Sequence, residues 1–181
     1  MTTWTIAGSL TPVPVSTRTD LLAEPVAKAL AALPEPDAIG VVEIDPELAD
    51  TAAFCETYGS PLEASANCVV VAGKRSGETR FAAALVLATT RADVNGVIKR
   101  RLDVRKASFA PMDQAVELTG MAYGGITPVG LPAEWPILID KAVADAPELV
   151  IGSGIRGGKL LISGTALAAL PGAEVIEGLA Q

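Results

Sequence analysis

Two apolar runs, Cys68–Ala72 and Phe81–Thr89, flank a polar, glycine-containing stretch from Gly73 to Thr79. Short apolar runs bounded by turn residues read as strands, and a connection this short joins antiparallel neighbours. A parallel pair would need a crossover of a dozen or more residues. The hairpin therefore sets a mixed, largely antiparallel sheet as the expected frame, in place of a strictly parallel one. Its filling is constrained as well, because half of the residues are hydrophobic but only 4% are aromatic. Ala, Val, Leu and Ile must make the core, and small side chains favour closely packed layers.

The rest of the chain supplies helices interleaved with short strands. Residues 1–20 are rich in Thr, Pro and Ser and read as an irregular N-terminal arm. Leu21–Leu33 reads as a helix with Asp20 as N-cap and Pro34 and Pro36 after it. Ile39–Ile44 is a short strand, and Asp45 with Pro46 opens a helix to about Tyr58. Asp93 caps a helix whose apolar side is Val94, Val97, Ile98 and Leu102, and Lys106–Ala110 is a strand. Pro111 starts a helix that ends near Gly120; Ile137–Ile139, Leu149–Ile151 and Leu160–Ile162 are strands, and Thr165–Leu170 is a last short helix. The fold class is α+β, one domain over residues 21–181 with a curved mixed sheet flanked by helices.

Residue types exclude several chemistries. The chain has no histidine, so no serine or cysteine can be activated by imidazole and no zinc site can use it. Cys55 and Cys68 are too few for a disulfide framework and read as core residues. No metal or other cofactor is expected. The apolar stretches fall well short of the roughly 20 residues of a membrane-spanning helix, and no secretory leader is visible, so the expected location is the cytoplasm.

A net charge of −7 argues against a general DNA or RNA binder. The charge is uneven, however. Between Lys74 and Lys106 nine bases face three acids, giving +6, and the remaining five bases and eighteen acids give −13. Lys99, Arg100 and Arg101 lie away from the apolar side of their helix. They form either an RNA-touching face or a plain solvated one.

The stretch Gly120-Met121-Ala122-Tyr123-Gly124-Gly125-Ile126-Thr127-Pro128-Val129-Gly130 is the most informative in the chain. Paired glycines let the main chain approach a ligand closely, and Pro128 stiffens the far side. Such a loop can aim peptide N–H groups at an oxygen that becomes negative during attack on an ester, although a Gly-Gly pair also occurs in ordinary turns. Asp140, at the end of an apolar strand, reads either as a group orienting water or as the cap of a following helix. Ser153 lies between Gly152 and Gly154 but has no activating base, so it is not a nucleophile candidate.

In order and spacing, Thr119-Gly120, Gly124–Gly130, Pro136–Asp140 and Gly152-Ser153-Gly154 resemble the aminoacyl-tRNA editing family often called YbaK or ProX-like, related to the editing insertion of bacterial prolyl-tRNA synthetase. The resemblance spans about Ser65 to Leu179. It implies hydrolysis of a wrongly attached small amino acid from the 3′ end of a tRNA, with the tRNA acceptor end as partner, an aminoacyl-tRNA synthetase as a second one, and Lys99, Arg100 and Arg101 as RNA contacts. By residue matching, Gly124, Gly125, Ile126, Thr127 and Pro128 line a small amino-acid cavity, with Gly152, Ser153 and Gly154 opposite. Many members carry a lysine at the start of the strand Asn67–Val71; here that place holds Asn67, or Ala66 under a one-residue slip. Asn67 can donate a hydrogen bond but supplies no charge. An aspartate of some members matches Lys159, which either points into the cavity and restores the charge or faces solvent. The alternative to a deacylase is therefore a weakened member that binds aminoacyl-tRNA, an amino acid or a synthetase without turnover.

Overall fold

The computed structural model describes residues 3–181. Its strands are β1 (Val13–Pro14), β2 (Gly40–Glu43), β3 (Ala66–Arg75), β4 (Glu78–Leu87), β5 (Ala107–Phe109), β6 (Ile137–Asp140), β7 (Leu149–Gly152), β8 (Gly158–Ile162) and β9 (Ala173–Ile176). The helices are α1 (Glu24–Ala31), α2 (Thr51–Tyr58), α3 (Lys99–Leu102), α4 (Met112–Thr119), α5 (Lys141–Ala144) and α6 (Gly164–Ala168). The strands divide between two sheets, one in the order β5-β3-β4-β6-β9 and one in the order β1-β2-β8-β7. Antiparallel pairs dominate, and β6 runs parallel to both β4 and β9. The single curved sheet expected from the sequence is thus two sheets, joined by a parallel bridge between Ser65 and Val150.

The hairpin is longer and tighter than the apolar runs suggest. Ser76 and Gly77 both take positive φ, 51° and 80°, so the pair Arg75 and Glu78 closes on a two-residue turn whose twist suits the strands. Polar residues from Gly73 to Thr79 therefore extend the strands instead of forming a loop. Alternation along β4 divides the core. Ala82, Ala84 and Val86 pack with Val71, Ile98, Leu102 and Leu138 on one face of the five-stranded sheet. Leu85, Ile137 and Ile139 face the main core with Leu149, Ile151 and Leu160 from the other sheet. Ala82, Ala83 and Ala84 have no exposed surface, which is the close layering that a core poor in rings requires.

Helix starts differ from the sequence reading where a local partner wins. Asp20 does not cap α1; it pairs with Arg18, and α1 begins three residues beyond Leu21 with Ala23 at its N-cap. Asp45 accepts from the Glu47 amide at 2.9 Å but caps only a single 3-10 turn before α2. Asp93 does cap, accepting from Val97 at 3.2 Å, and the turn it opens is a π-helix that runs into α3. The strand β9, with no periodic run of its own, forms because Gly172 turns the chain back along β6. Of the first 20 residues, Met1 and Thr2 lie outside the described residues. Ile6 and Ala7 are buried against Val42, Phe54 and Leu161, and Val13 pairs with Val41. None of the helices among the described residues is long and apolar enough to cross a membrane.

Candidate functional site

A cavity of about 440 Å³ opens at the seam of the two sheets. One wall is the start of β3, where β5 pairs with residues 71–73, Ala110 donates to the Val70 carbonyl at 2.9 Å, and the edge before Val70 has no strand beside it on this side. The facing wall is the end of β7, and α2, α4 and the glycine loop complete the enclosure. Main chain therefore lines much of the site, as a free sheet edge dictates.

The loop is shaped by backbone-to-backbone packing. Gly125 donates to the Ala122 carbonyl at 2.9 Å and accepts from the Gly154 amide at 2.7 Å, while Ala122 donates to Gly154. A methyl group at Gly125 would lie 2.7 Å from the Ile155 carbonyl oxygen, and one at Gly152 would lie 2.6 Å from the Gly125 carbonyl oxygen. Only glycine permits that approach. Gly124, at φ 89°, turns outward into the cavity beneath the Arg156 guanidinium, which also donates to the Tyr123 carbonyl at 3.1 Å. With its N–H spent on Ala122, Gly125 is the floor support. The N–H groups of Gly124 and Ile126, which line the cavity, carry no hydrogen bond among the described residues.

Lys159 is the charged group of the interior. Its position on β8 is opposite Gly152, it is 7% exposed, and it lines the cavity. Its Nζ donates to the Ala49 carbonyl at 2.9 Å and sits 5.4 Å from the centre of the Phe54 ring. Burial lowers its pKa below the ordinary amine value; Asp50 partly offsets this and Arg156 adds to it. Asn67 stands on the opposite wall, its Oδ1 accepting from Thr51 Oγ1 at 2.8 Å, which leaves its amide N–H groups for a ligand. Cys68 lies beside it, and burial pushes its thiol up to about 12, so it stays protonated at neutral pH and is no nucleophile.

Five of the residues singled out in the sequence thus share one cavity: Asn67, Gly124, Ile126, Gly152 and Lys159. Gly125, Thr127, Pro128, Ser153 and Gly154 are buried behind it, and the hydroxyls of Thr127 and Ser153 have no hydrogen-bond partner among the described residues. Asp140 is outside. It lies two strands from Asn67, beyond β4, at the start of α5, where burial raises its pKa against the pull of the Leu179, Lys141 and Ala180 amides. Lys99, Arg100 and Arg101 are also outside. Their helix packs through Leu102 on the face of the five-stranded sheet turned away from the main core, and Arg101 is bound to Glu174.

Sequence reasoning missed Asp50 and Thr51 at the start of α2, and Phe109, Met112 and Tyr123, all of which line the cavity. The Asp-Thr pair is a legible cap signal, but nothing local tells that a helix start faces a strand edge. The aromatic ending a short strand was legible as a residue and not as a position.

The aminoacyl-tRNA editing domain pattern matches residues 45–170, a span that takes in every wall of the cavity. The chain belongs to the aminoacyl-tRNA editing domain family. In fold it is similar to the solved structure of a candidate trans-editing enzyme for prolyl-tRNA synthetase, with TM-score 0.71 and 24% identity over 86% of this chain and 94% of that one. It is also similar to the hypothetical protein APE2540, with TM-score 0.75 and 20% identity over 87% and 100%. A scaffold protein used for epitope grafting gives TM-score 0.71 and 23% identity over 86% and 95%. No curated protein sequence matches the chain.

Proposed function

We propose that the chain is a trans-editing deacylase, hydrolysing the ester of a small amino acid on a mischarged tRNA. The observation that carries this reading is the meeting of free loop amides and the buried Lys159 ammonium in one cavity. The aminoacyl group enters between the β3 edge and the glycine loop, where Cys68, Val70, Ile126 and Val150 offer a mostly apolar wall to its side chain. A pocket of this kind distinguishes side chains by about 1 to 3 kcal/mol per methylene.

Water attacks the ester carbonyl carbon, and the carbonyl oxygen becomes negative in the tetrahedral intermediate. The N–H groups of Gly124 and Ile126 stabilise it, with Lys159 supplying positive charge in surroundings poor in water. The bond to the ribose oxygen then breaks; that oxygen takes the proton the water gave up, leaving a free amino acid and uncharged tRNA. With no histidine in the chain and Cys68 protonated, the vicinal ribose hydroxyl is the proton relay. Asn67 donates to the ribose or the carbonyl, taking the place of the family lysine. Outside the cavity, Lys99 and Arg100 add electrostatic attraction to RNA, and a prolyl-type synthetase is the partner that would supply the mischarged product.

The test is loss of label from a panel of tRNAs mischarged with small amino acids. Deacylation of at least one member above the uncatalysed rate is expected. If none responds while a nonhydrolysable aminoacyl-adenosine analogue still binds, the neutral Asn67 marks a binding module and the deacylase reading fails.

A further inference from the structure

Six large hydrophobic side chains are conspicuously exposed among the described residues, and three of them, Phe109 at 60%, Met112 at 55% and Tyr123 at 55%, line the same cavity. They come from two pieces of chain: the short junction from Phe109, ending β5, to Met112, opening α4, and the glycine loop that carries Tyr123. A side chain that lines a cavity and is still more than half exposed stands at its mouth. The chain has seven aromatic residues. Phe54 and Trp135 are buried, Trp4, Tyr58 and Phe81 are partly buried, and the two most open rings are both at this opening. Folding leaves large apolar groups in water singly and at random; convergence on the rim of a site is a different pattern.

We propose that Phe109, Met112 and Tyr123 form a stacking platform for a purine base, the terminal adenine of the RNA whose aminoacyl group occupies the cavity. This inference rests on the deacylase reading of the site, because an ester held between Gly124 and Lys159 obliges the attached ribose and its base to emerge at the mouth. What meets them there is chemically suited to a nucleoside. Flat or polarisable apolar surfaces accept a base face, and Arg156, exposed and fixed over the loop by its bond to the Tyr123 carbonyl, offers a cation to the sugar–phosphate side. Arg156 has no carboxylate partner among the described residues, in contrast to Arg18, Arg75 and Arg101. Stacking tolerates any base, so the platform positions the end of the chain, and the cavity reads the amino acid.

Two measurements test this together. Protein with 13C-labelled methionine methyl groups is titrated with free adenosine; the Met112 signal, assigned by its loss in Met112→Leu, is expected to move upfield under the ring current of a stacked purine while buried Met121 stays in place. In parallel, Phe109→Ala and Tyr123→Ala are each expected to raise KM for the mischarged tRNA by about fivefold to a hundredfold with kcat within about threefold, and Phe109→Trp is expected to restore KM. If Met112 moves with adenosine although no tRNA is deacylated, the platform stands and the deacylase reading falls. If deacylation proceeds but neither Met112 nor KM responds, the platform is overturned and the deacylase reading survives. A Met112 signal that ignores adenosine and shifts with a purified prolyl-tRNA synthetase makes the patch a protein contact, which also overturns it.

Discussion

The two faces of the five-stranded sheet meet positive charge in two different settings. The outer face, under α3, belongs to the +6 segment of the chain, and three of that segment's nine cations are paired near the surface: Arg75 and Arg80 meet Asp103, and Arg101 meets Glu174. The cavity side has one buried cation, Lys159, held by a carbonyl and an aromatic ring with no carboxylate in contact. Exposed pairs are screened and worth about 1 kcal/mol or less, while a desolvated ammonium acts at nearly full strength on whatever charge develops beside it. Counting charges finds the first face and overlooks the second, where the single cation is buried.

The strongest way to break this contrast is Lys159→Met, which keeps an unbranched apolar side chain one atom shorter and removes the charge. We expect kcat/KM for deacylation to fall about a hundredfold or more, the scale of losing one electrostatic contact to the oxyanion. Folding should move the other way. The folded-state pKa of Lys159 is lowered from the ordinary 10.5, so between the two values the unfolded chain binds the extra proton and stability rises with pH. Below the folded-state value the buried charge is a fixed penalty. The variant should therefore unfold at a higher denaturant midpoint at neutral pH and lack the rise in stability expected of the parent as pH approaches 10.5. Equal activity in parent and variant would show that the cavity works without its cation.

The same contrast explains what the sequence could and could not reveal. The hairpin, the glycine loop and most strands are local patterns, legible because apolar period and turn residues are contiguous in the chain. The two-sheet arrangement is not local; its seam is made where Ser65 meets Val150 across the fold. Lys159 is the clearest case. It stands between Gly158 and the apolar Leu160–Ile162, a place equally suited to solvent or to a cavity, and only the pairing of Lys159 with Gly152 decides. Gly125 looked like an oxyanion donor by motif, yet its amide is consumed within the loop, and its neighbours Gly124 and Ile126 are the ones left free. Motifs locate a loop well and assign its individual hydrogen bonds poorly.

A middle-sized effect sharpens the outer face. Lys99 and Arg100 have no ion-pair partner among the described residues. Reversing both to Glu should raise KM for tRNA several-fold, leave kcat unchanged because the sheet separates them from the cavity, and reduce the salt dependence of binding by about one unit of slope per lost phosphate contact. Arg101→Glu should add little RNA effect of its own, since Glu174 already holds that guanidinium. A fall in kcat in the double variant would mean that the two faces are coupled.

The smallest effect falls on Asp140. Its carboxylate ends β6 at the N-cap position of α5 without a side-chain cap hydrogen bond, and the Leu179, Lys141 and Ala180 amides only partly offset its burial. Burial raises its pKa, which means that the native state prefers the protonated form more than the unfolded chain does. Between the ordinary 3.8 and the raised value, stability therefore falls as pH rises. Asp140→Asn keeps an acceptor without the desolvated charge and should flatten that acidic slope, with stability at neutral pH nearly unchanged. Asp140→Ala removes a carboxylate that makes no cap hydrogen bond and should cost less than about 1 kcal/mol, below the usual loss of a helix cap. Neither substitution should alter kcat or KM, because β4 stands between Asp140 and the wall that carries Asn67. A change in the pH profile of deacylation in Asp140→Asn would return this carboxylate to the reaction and would require the cavity to extend past β4.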